Sequence, residues 1–246
     1  MIIAQKNNND VWRDRLYLIL AGVFISSLVA SNLIFQKFFV LTPFSFLDIF
    51  SNYELFKKIA NYSFELSVGI LPYPITFLVT DIVSEIYGRK KANQIVISGF
   101  ISSLFIMLVV IIANMVPATD WSPVNNEVFS KVFGLYGPAV FASMTAYLFA
   151  QLIDIRIYHF WKRILKGRHL WIRNNLSTIF SQSLDTFLIL FLLCSGNVIE
   201  WDKFSNLFIQ GFLFKVMIAI IDTPIIYICV GYLRRKFKLK VGQELI

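Results

Sequence analysis

The chain has 246 residues, of which 57% are hydrophobic and 15% are charged. This balance is typical of an integral membrane protein and excludes an ordinary soluble domain. The formal net charge is +8, but the basic residues lie at the ends of apolar segments. They therefore indicate orientation in a membrane and not nucleic-acid binding.

The apolar segments predict an all-α integral membrane protein with six transmembrane helices within residues 15–235. We expect residues 1–14 and 236–246 to be cytoplasmic tails. The segment Phe38–Ser63 is expected on the opposite side of the membrane, as an interfacial stretch or a small hairpin. The six predicted spans are, in chain order, Leu16–Phe35, Phe64–Tyr87, Ala92–Val116, Pro138–Tyr158, Leu176–Val198 and Leu207–Leu233.

The distribution of basic residues predicts the orientation of the bundle. An even number of spans places both termini on one side of the membrane. Of the 23 Lys and Arg residues, 16 fall in the tails and loops on that side and 5 on the opposite side. Because cytoplasmic loops are enriched in basic residues, we expect both termini to be cytoplasmic.

The second predicted span contains two prolines followed by two acids. Pro72 and Pro74 disfavour helical backbone at the residues before them, whereas Pro74 itself suits a first helical turn. We therefore expect a helix broken near Pro72-Pro74, with an extended or kinked lead-in and a helical part that runs on to about Tyr87. The start of that helix would present a positive dipole end inside the membrane.

This stretch and three later ones resemble one family of membrane proteins. LPYPITFLVTDIVSEIYGRKKA begins at Leu71, AYLFAQLIDIRIYHFWKR at Ala146 and LWIRNNLSTIFSQSLDTFL at Leu170, and the last span carries Lys215 and Thr223-Pro224. Together they are similar to the queuosine precursor transporter family, within the vitamin uptake transporter group. The resemblance implies a six-helix, multi-pass protein of the bacterial inner (plasma) membrane. It also implies import of a 7-deazaguanine-type base such as preQ0, preQ1 or queuine.

Charged side chains inside the predicted spans are costly, so they are candidates for function. Asp81 and Glu85 are four residues apart and share one helix face. Glu85 has an alternative structural partner in Arg89, at the membrane surface. Lys215 has three candidate partners, between which the sequence does not choose: Asp81, Asp185 and Asp222.

Three further charged residues are expected closer to the cytoplasmic surface. Asp154 and Arg156 fall towards the end of the fourth span, where a structural role is the simpler interpretation. Arg173 precedes the fifth span, and we expect it to be a cytoplasmic anchor, with a role in a gate as the alternative.

The residue types fit the substrate that the resemblance implies. A guanine-like edge offers two N–H donors, which one carboxylate can accept. Gln or Asn can meet the carbonyl edge, and an aromatic ring can stack on the face of the base. The candidate substrate-binding residues are Asn32, Tyr73, Phe77, Asp81, Glu85, Gln182, Asp185 and Lys215.

Two other functions remain as alternatives. One is a substrate-binding membrane subunit that needs a separate energising ATPase partner. The other, with less support, is an intramembrane enzyme, because no Ser/His or Glu/His arrangement is visible. We expect no enzymatic activity, no cofactor and no metal site. The expected partners are a small deazaguanine-type molecule and the lipid bilayer, and a homo-oligomer is left open.

Overall fold

The computed structural model describes residues 8–50, 53–54, 57, 60–134, 138–197 and 199–245. Within them the chain is largely helical, with one small sheet. The strands are β1 (Phe38–Leu41) and β2 (Phe64–Ser67). The helices are α1 (Asn8–Ile34), α2 (Tyr73–Ile86), α3 (Gly88–Met115), α4 (Asn126–Phe133), α5 (Pro138–Ile164), α6 (Leu170–Ser195) and α7 (Trp201–Phe237).

Five stretches of the described chain are long and apolar enough to cross a membrane. They lie in α1, α2 with its lead-in, α3, α6 and α7, as Asp10–Ile34, Val68–Ile86, Gly88–Met115, Leu170–Ser195 and Trp201–Phe237. The protein is therefore an all-α, multi-pass membrane protein. The helix α5 has 27 residues and corresponds to the predicted fourth span, but the total of six spans stays a prediction.

The two strands form a hairpin that differs from the predicted one. β1 lies in the segment Phe38–Ser63, expected to be an interfacial stretch or a small hairpin, whereas β2 lies at the start of the predicted second span. β1 pairs antiparallel with β2, with Phe38 opposite Ser67 and Leu41 opposite Phe64. The buried side of β2 packs on Phe214 of α7. This packing attaches the sheet to the bundle just before the lead-in to α2.

The predicted break in the second span is confirmed, with one correction. After β2 the chain makes a single 3-10 turn, Val68–Ile70, and α2 then begins at Tyr73, with Pro74 in its first turn. Leu71, expected to be extended, has helical angles of φ −66° and ψ −47°. Its N–H donates to the carbonyl of Val68, so the hydrogen bond of the turn outweighs the preference imposed by the following proline.

Gly69 allows this lead-in to lie against α1. A Cβ atom at Gly69 would come within 2.7 Å of the carbonyl oxygen of Ser31. Any other residue would push the 3-10 turn away from α1. The absence of a side chain therefore helps to set where α2 begins.

Both described ends of the chain lie at one end of the bundle. The rings of Trp12 and Phe237 are 5.4 Å apart, and the N–H of Leu245 donates to the carbonyl of Ile86. This end, where α2 and α5 finish and α6 begins, is called the basic end below, and the opposite end is called the far end. That the basic end faces the cytoplasm stays a prediction from the basic residues.

The centre of the bundle is α2. Ten of its 14 residues are buried, and it packs against α1, α3, α5 and α7. By contrast, α3 exposes large apolar side chains such as Ile101, Phe105 and Leu108, as expected of a helix that faces lipid. Polar side chains on α2 are therefore enclosed by protein and not by lipid.

Candidate substrate-binding site

A cavity of about 270 Å³ opens towards the far end of the bundle. Most of its surface is apolar, with a few convergent polar groups, which is the usual make-up of a small-molecule site. Its polar lining residues are Ser31, Asn32, Glu65, Ser67, Tyr73, Ser143, Asp185, Thr186 and Lys215. They come from α1, the hairpin, α2, α5, α6 and α7, so most of the bundle contributes to the cavity.

Four charged or polar side chains meet in the cavity lining. Asp185 Oδ2 accepts from Lys215 Nζ at 2.7 Å and from the Tyr73 hydroxyl at 2.5 Å. Lys215 also donates to Thr186 at 3.0 Å and lies over the Tyr73 ring, 4.7 Å from its centroid. Of the three partners that the sequence left open for Lys215, the structure selects Asp185.

Asp185 keeps one acceptor atom for a ligand. Its side chain is fully buried, and Oδ1 has no hydrogen-bond partner within the described chain. Lys215 carries three N–H donors and uses two of them on Asp185 and Thr186. The pair therefore presents an acceptor and a donor side by side.

The predicted site residues divide into three groups. Four of them, Asn32, Tyr73, Asp185 and Lys215, line the cavity. Phe77 and Gln182 line a smaller pocket of about 20 Å³, which shares Tyr73 and Lys215 with the cavity. The remaining two, Asp81 and Glu85, line neither space.

The two aromatic candidates, Tyr73 and Phe77, pack on each other and on Tyr147. The centroid of Tyr73 is 5.4 Å from those of Phe77 and Tyr147, and the last two are 6.4 Å apart. The Tyr147 hydroxyl accepts from Gln151 at 2.9 Å. The three rings thus form an aromatic cluster beside the ion pair, and Tyr73 is the member that reaches the cavity.

Asp81 does not line the cavity to which Asp185 contributes. Asp81 lies eight residues beyond Tyr73 on α2, about 12 Å closer to the basic end at about 1.5 Å per residue. It is 3% exposed, and Oδ1 has no hydrogen-bond partner among the described residues. A role for Asp81 in substrate binding stays a prediction.

Glu85 is the centre of a buried charged layer at the basic end. Its carboxylate accepts from Arg173 at 2.9 and 3.2 Å, from the Tyr158 hydroxyl at 2.8 Å and from Arg234. Lys162 Nζ lies 3.4 Å from the same carboxylate. These five residues, called the Glu85 layer below, connect α2, α5, α6 and α7.

The predicted pairing of Glu85 with Arg89 is wrong. The helix α2 ends at Ile86, and Gly88 follows with φ +81°. The chain changes direction there, so Arg89 belongs to α3 and is exposed. The spacing of four residues does not bring the two side chains together because they are not on one helix.

Two more charged residues are deeper in the protein than predicted. Arg173, expected to be a surface anchor, has no exposed surface and pairs with Glu85. Asp154, expected near the cytoplasmic surface, also has none and accepts from Ser181 at 2.9 Å. Both side chains are covered by neighbouring helices, which the position of a residue along its own helix does not reveal.

Comparison with known proteins identifies the family. The profile of the family described as "Putative vitamin uptake transporter" matches residues 67–229, about two thirds of the chain. The chain belongs to this family. The resemblance found in the four sequence blocks is thereby confirmed, and the matched range contains seven of the eight predicted site residues, all but Asn32.

Two relatives of the chain carry the same name. A "Probable queuosine precursor transporter" of Bacillus subtilis is 28% identical over 197 residues, which cover 78% of this chain and 84% of the relative. Another of that name, from Haemophilus influenzae, is 24% identical over 242 residues, which cover 96% and 95%. No solved structure matches the chain.

The sequence analysis missed three members of the Glu85 layer. It counted Lys162 and Arg234 with the basic residues outside the spans and used Tyr158 only as the end of the fourth span. All three contact Glu85. A signal was present in the sequence, since Asp154, Tyr158 and Lys162 repeat every four residues and so share one face of α5. Within the described residues, no cluster of His, Cys, Asp and Glu could hold a metal ion.

Proposed function

We propose that the chain imports a queuosine precursor, a 7-deazaguanine-type base, across the bacterial inner membrane. The observation that carries the proposal is the Asp185–Lys215 pair in the cavity lining, with a free acceptor on Asp185. The substrate class rests on the names of the two relatives. The chemistry of the cavity is compatible with that class.

A flat base with one donor edge and one carbonyl suits the two charged groups. Asp185 Oδ1 would accept from an N–H of the base, as carboxylates do from base amino groups. The remaining N–H of Lys215 would donate to the carbonyl oxygen or a ring nitrogen. Such a buried polar site discriminates against analogues that lack the matching groups, because its own polar atoms are then left unpaired.

The Glu85 layer would serve as the inner gate of the transporter. The cavity opens at the far end, while Glu85 holds α2 and α5 to α6 and α7 at the basic end. Release of the base on that side requires these ion pairs to separate, which is the rocking or gating step of alternating access. We therefore assign Glu85 to the gate and not to substrate binding.

Uptake by the purified chain in liposomes tests the proposal. We expect labelled 7-deazaguanine base to enter liposomes that contain the wild-type chain alone, which would also remove the need for an ATPase partner. Asp185→Asn should lower uptake roughly ten- to a hundredfold, because one charge-assisted hydrogen bond is worth about 1.5–3 kcal/mol.

An exposed ion pair on α7 supplies the matched control. Lys203 and Glu200 are 3.1 Å apart, with side chains 62% and 74% exposed. Glu200→Gln removes the same charge as Asp185→Asn but should leave uptake unchanged. Equal uptake by wild type and Asp185→Asn, at matched protein content, would contradict the assignment of the site.

A further inference from the structure

Two buried carboxylates near the centre of the bundle have no cationic partner. Asp81 is 3% exposed and Asp154 is fully buried. Within the described parts of the chain, no Lys, Arg or His nitrogen lies within 4.0 Å of either carboxylate. The other two buried acids, Glu85 and Asp185, both have such partners, so within the described residues Asp81 and Asp154 are the buried acids without an ion pair.

The two helices that carry these acids are fastened together on both sides of them. On the side nearer the cavity, the Thr80 hydroxyl, which donates to the carbonyl of Phe77 at 2.9 Å, lies 3.4 Å from Gln151 Oε1. On the side nearer the basic end, the Tyr158 hydroxyl donates to Glu85 at 2.8 Å. Each acid lies between the two fastening residues of its own helix. Thr80 precedes Glu85 on α2, and Gln151 precedes Tyr158 on α5, so the two helices run in the same direction here. The two carboxylates therefore lie at a similar depth.

The helix α6 adds further oxygen atoms at this depth. The Ser181 hydroxyl donates to Asp154 Oδ1 at 2.9 Å. Thr178 and Gln182, on the same side of α6, are at most 5% exposed, and the oxygens Thr178 Oγ1 and Gln182 Oε1 have no hydrogen-bond partner in the described chain. The same holds for Asp81 Oδ1 and for Asp154 Oδ2.

A small pocket lies against α6, next to the substrate cavity. Thr178, Gln182 and Asp222 line the pocket of about 20 Å³, together with Tyr73 and Lys215 of the cavity lining. A space of about 10–15 Å³ is enough for one water molecule, so an ion of similar size fits. The two α6 residues with unpartnered oxygens therefore line a space that shares residues with the cavity.

The buried basic side chains of α5, α6 and α7 already have acidic partners. Lys162 and Arg173 pair with Glu85, and Lys215 pairs with Asp185. Because an unpaired buried carboxylate is costly, a cation from outside the protein would stabilise Asp81 and Asp154.

We infer that Asp81 and Asp154 together bind one monovalent cation, a proton or Na⁺, between the substrate cavity and the Glu85 layer. The donor set consists of carboxylate, hydroxyl and amide oxygens, which suits either cation. Resting on the proposed function, the inference assigns this cation the role of coupling ion. Its binding neutralises the acids while α2, α5 and α6 are packed together, and its gradient drives accumulation of the base.

Transport in liposomes separates this inference from the proposed function. Exchange of labelled base, with no ion gradient, reports transport alone. Accumulation against a base gradient is then measured with an inward pH gradient of one unit, or with a tenfold inward Na⁺ gradient. For one cation per base we expect accumulation of up to about tenfold with one of the two gradients, since both correspond to about 1.4 kcal/mol.

Two conservative variants test the residues. Asp154→Asn and Asp81→Asn keep the shape of the side chain and remove the charge, so both should lose gradient-driven accumulation. Asp154→Asn, outside the candidate substrate-binding residues, should retain exchange. Asp202→Asn, at an exposed position on α7, should behave as wild type. A variant that does not insert is replaced by Thr178→Val, which leaves both acids in place and should weaken accumulation driven by Na⁺.

Every other outcome would refute either the coupling, the cation site or the proposed function. Wild-type exchange without accumulation in either gradient would refute coupling and leave the proposed function intact. Undiminished accumulation in both Asn variants would refute the site. If wild type shows no exchange, the proposed function fails, and the site is judged by whether Na⁺ or pH changes the Tm of the purified wild type. No difference in that response from Asp154→Asn would refute cation binding.

Discussion

Lys215 Nζ lies 2.7 Å from Asp185 Oδ2, and this ion pair fastens α7 to α6 beside the cavity. Both side chains are enclosed, with 11% and 0% exposure. The pair combines two roles, because it holds two spans together and offers polar groups to a ligand. These roles can be separated by removing one partner or both.

We predict that Lys215→Met lowers stability by about 3–5 kcal/mol, because it leaves the Asp185 charge buried without a partner. The double variant Lys215→Met with Asp185→Asn should regain much of that stability, yet still fail to take up the base. Thermal unfolding in detergent and liposome uptake measure the two effects. Lys203→Met, in an exposed pair, should unfold at nearly the same temperature as wild type, because surface ion pairs contribute little to stability. If the double variant were no more stable than Lys215→Met, the ion pair would not be the cause.

We predict that Glu85→Gln opens the basic end of the bundle. The loss of charge-assisted bonds to Arg173 and Arg234 is worth about 1.5–3 kcal/mol each, so opening should become at least about tenfold more frequent. A cysteine at Ser84, which is fully buried, reports opening through its rate of reaction with a thiol reagent. The background for this measurement lacks Cys194 and Cys229.

Arg89→Gln supplies the comparison for the gate. Arg89 is exposed, so Arg89→Gln should not change the labelling rate of the cysteine at position 84. With Arg89 as the only partner of Glu85, Glu85→Gln would have a mild effect. The structure instead gives Glu85 the partners Arg173 and Arg234, so we expect a larger effect from Glu85→Gln than from Arg89→Gln. Equal labelling of wild type and Glu85→Gln would argue against a gate at this layer.

We predict that the C-terminal segment strengthens closure of the basic end. Glu244 accepts from Lys162 at 2.9 Å, and Gly242, with φ +82°, lies against Gly167, with φ +75°. A Cβ at Gly167 would come within 2.5 Å of the Cα of Gly242. Gly167→Ala should therefore displace the segment and cost at least about 1–2 kcal/mol through its left-handed backbone alone.

Protease cleavage near Lys240 measures displacement of that segment, and we expect it to be faster in Gly167→Ala. Gly231→Ala is the matched control, because a Cβ at Gly231 meets nothing within 4 Å. Cleavage at the wild-type rate in Gly167→Ala would show that the packing of the two glycines does not hold the segment.

We predict that reporters fused after Arg235 and in the segment 165–169 are read as cytoplasmic, and that a reporter near Asn125 is read as external. The reason is the bias of 16 basic residues to 5, since short cytoplasmic loops are enriched in Lys and Arg. The side of the membrane is measured by comparing two reporters at each position. One, such as alkaline phosphatase, is active only in the periplasm, and the other is active only in the cytoplasm. An external C-terminal reporter would reject the topology with six spans.

Several features could be predicted from the sequence because they depend on neighbours along the chain. Membrane-crossing helices follow from apolar stretches, and the broken lead-in follows from Pro72 and Pro74, whose steric effects are local. The four similar blocks were enough to recognise the family. The exception was Leu71, where one hydrogen bond within a turn overrode the local preference.

What the sequence determined by itself, then, is the presence of long apolar helices, the break before α2 and the presence of charged residues within apolar segments. Only the tertiary structure decided that Lys215 pairs with Asp185, that Glu85 pairs with Arg173 and Arg234, and that Asp154 is buried. Spacing along one helix defines which side chains share a face of that helix. It does not define which face of another helix packs against it, and the partner of a buried charge depends on that packing.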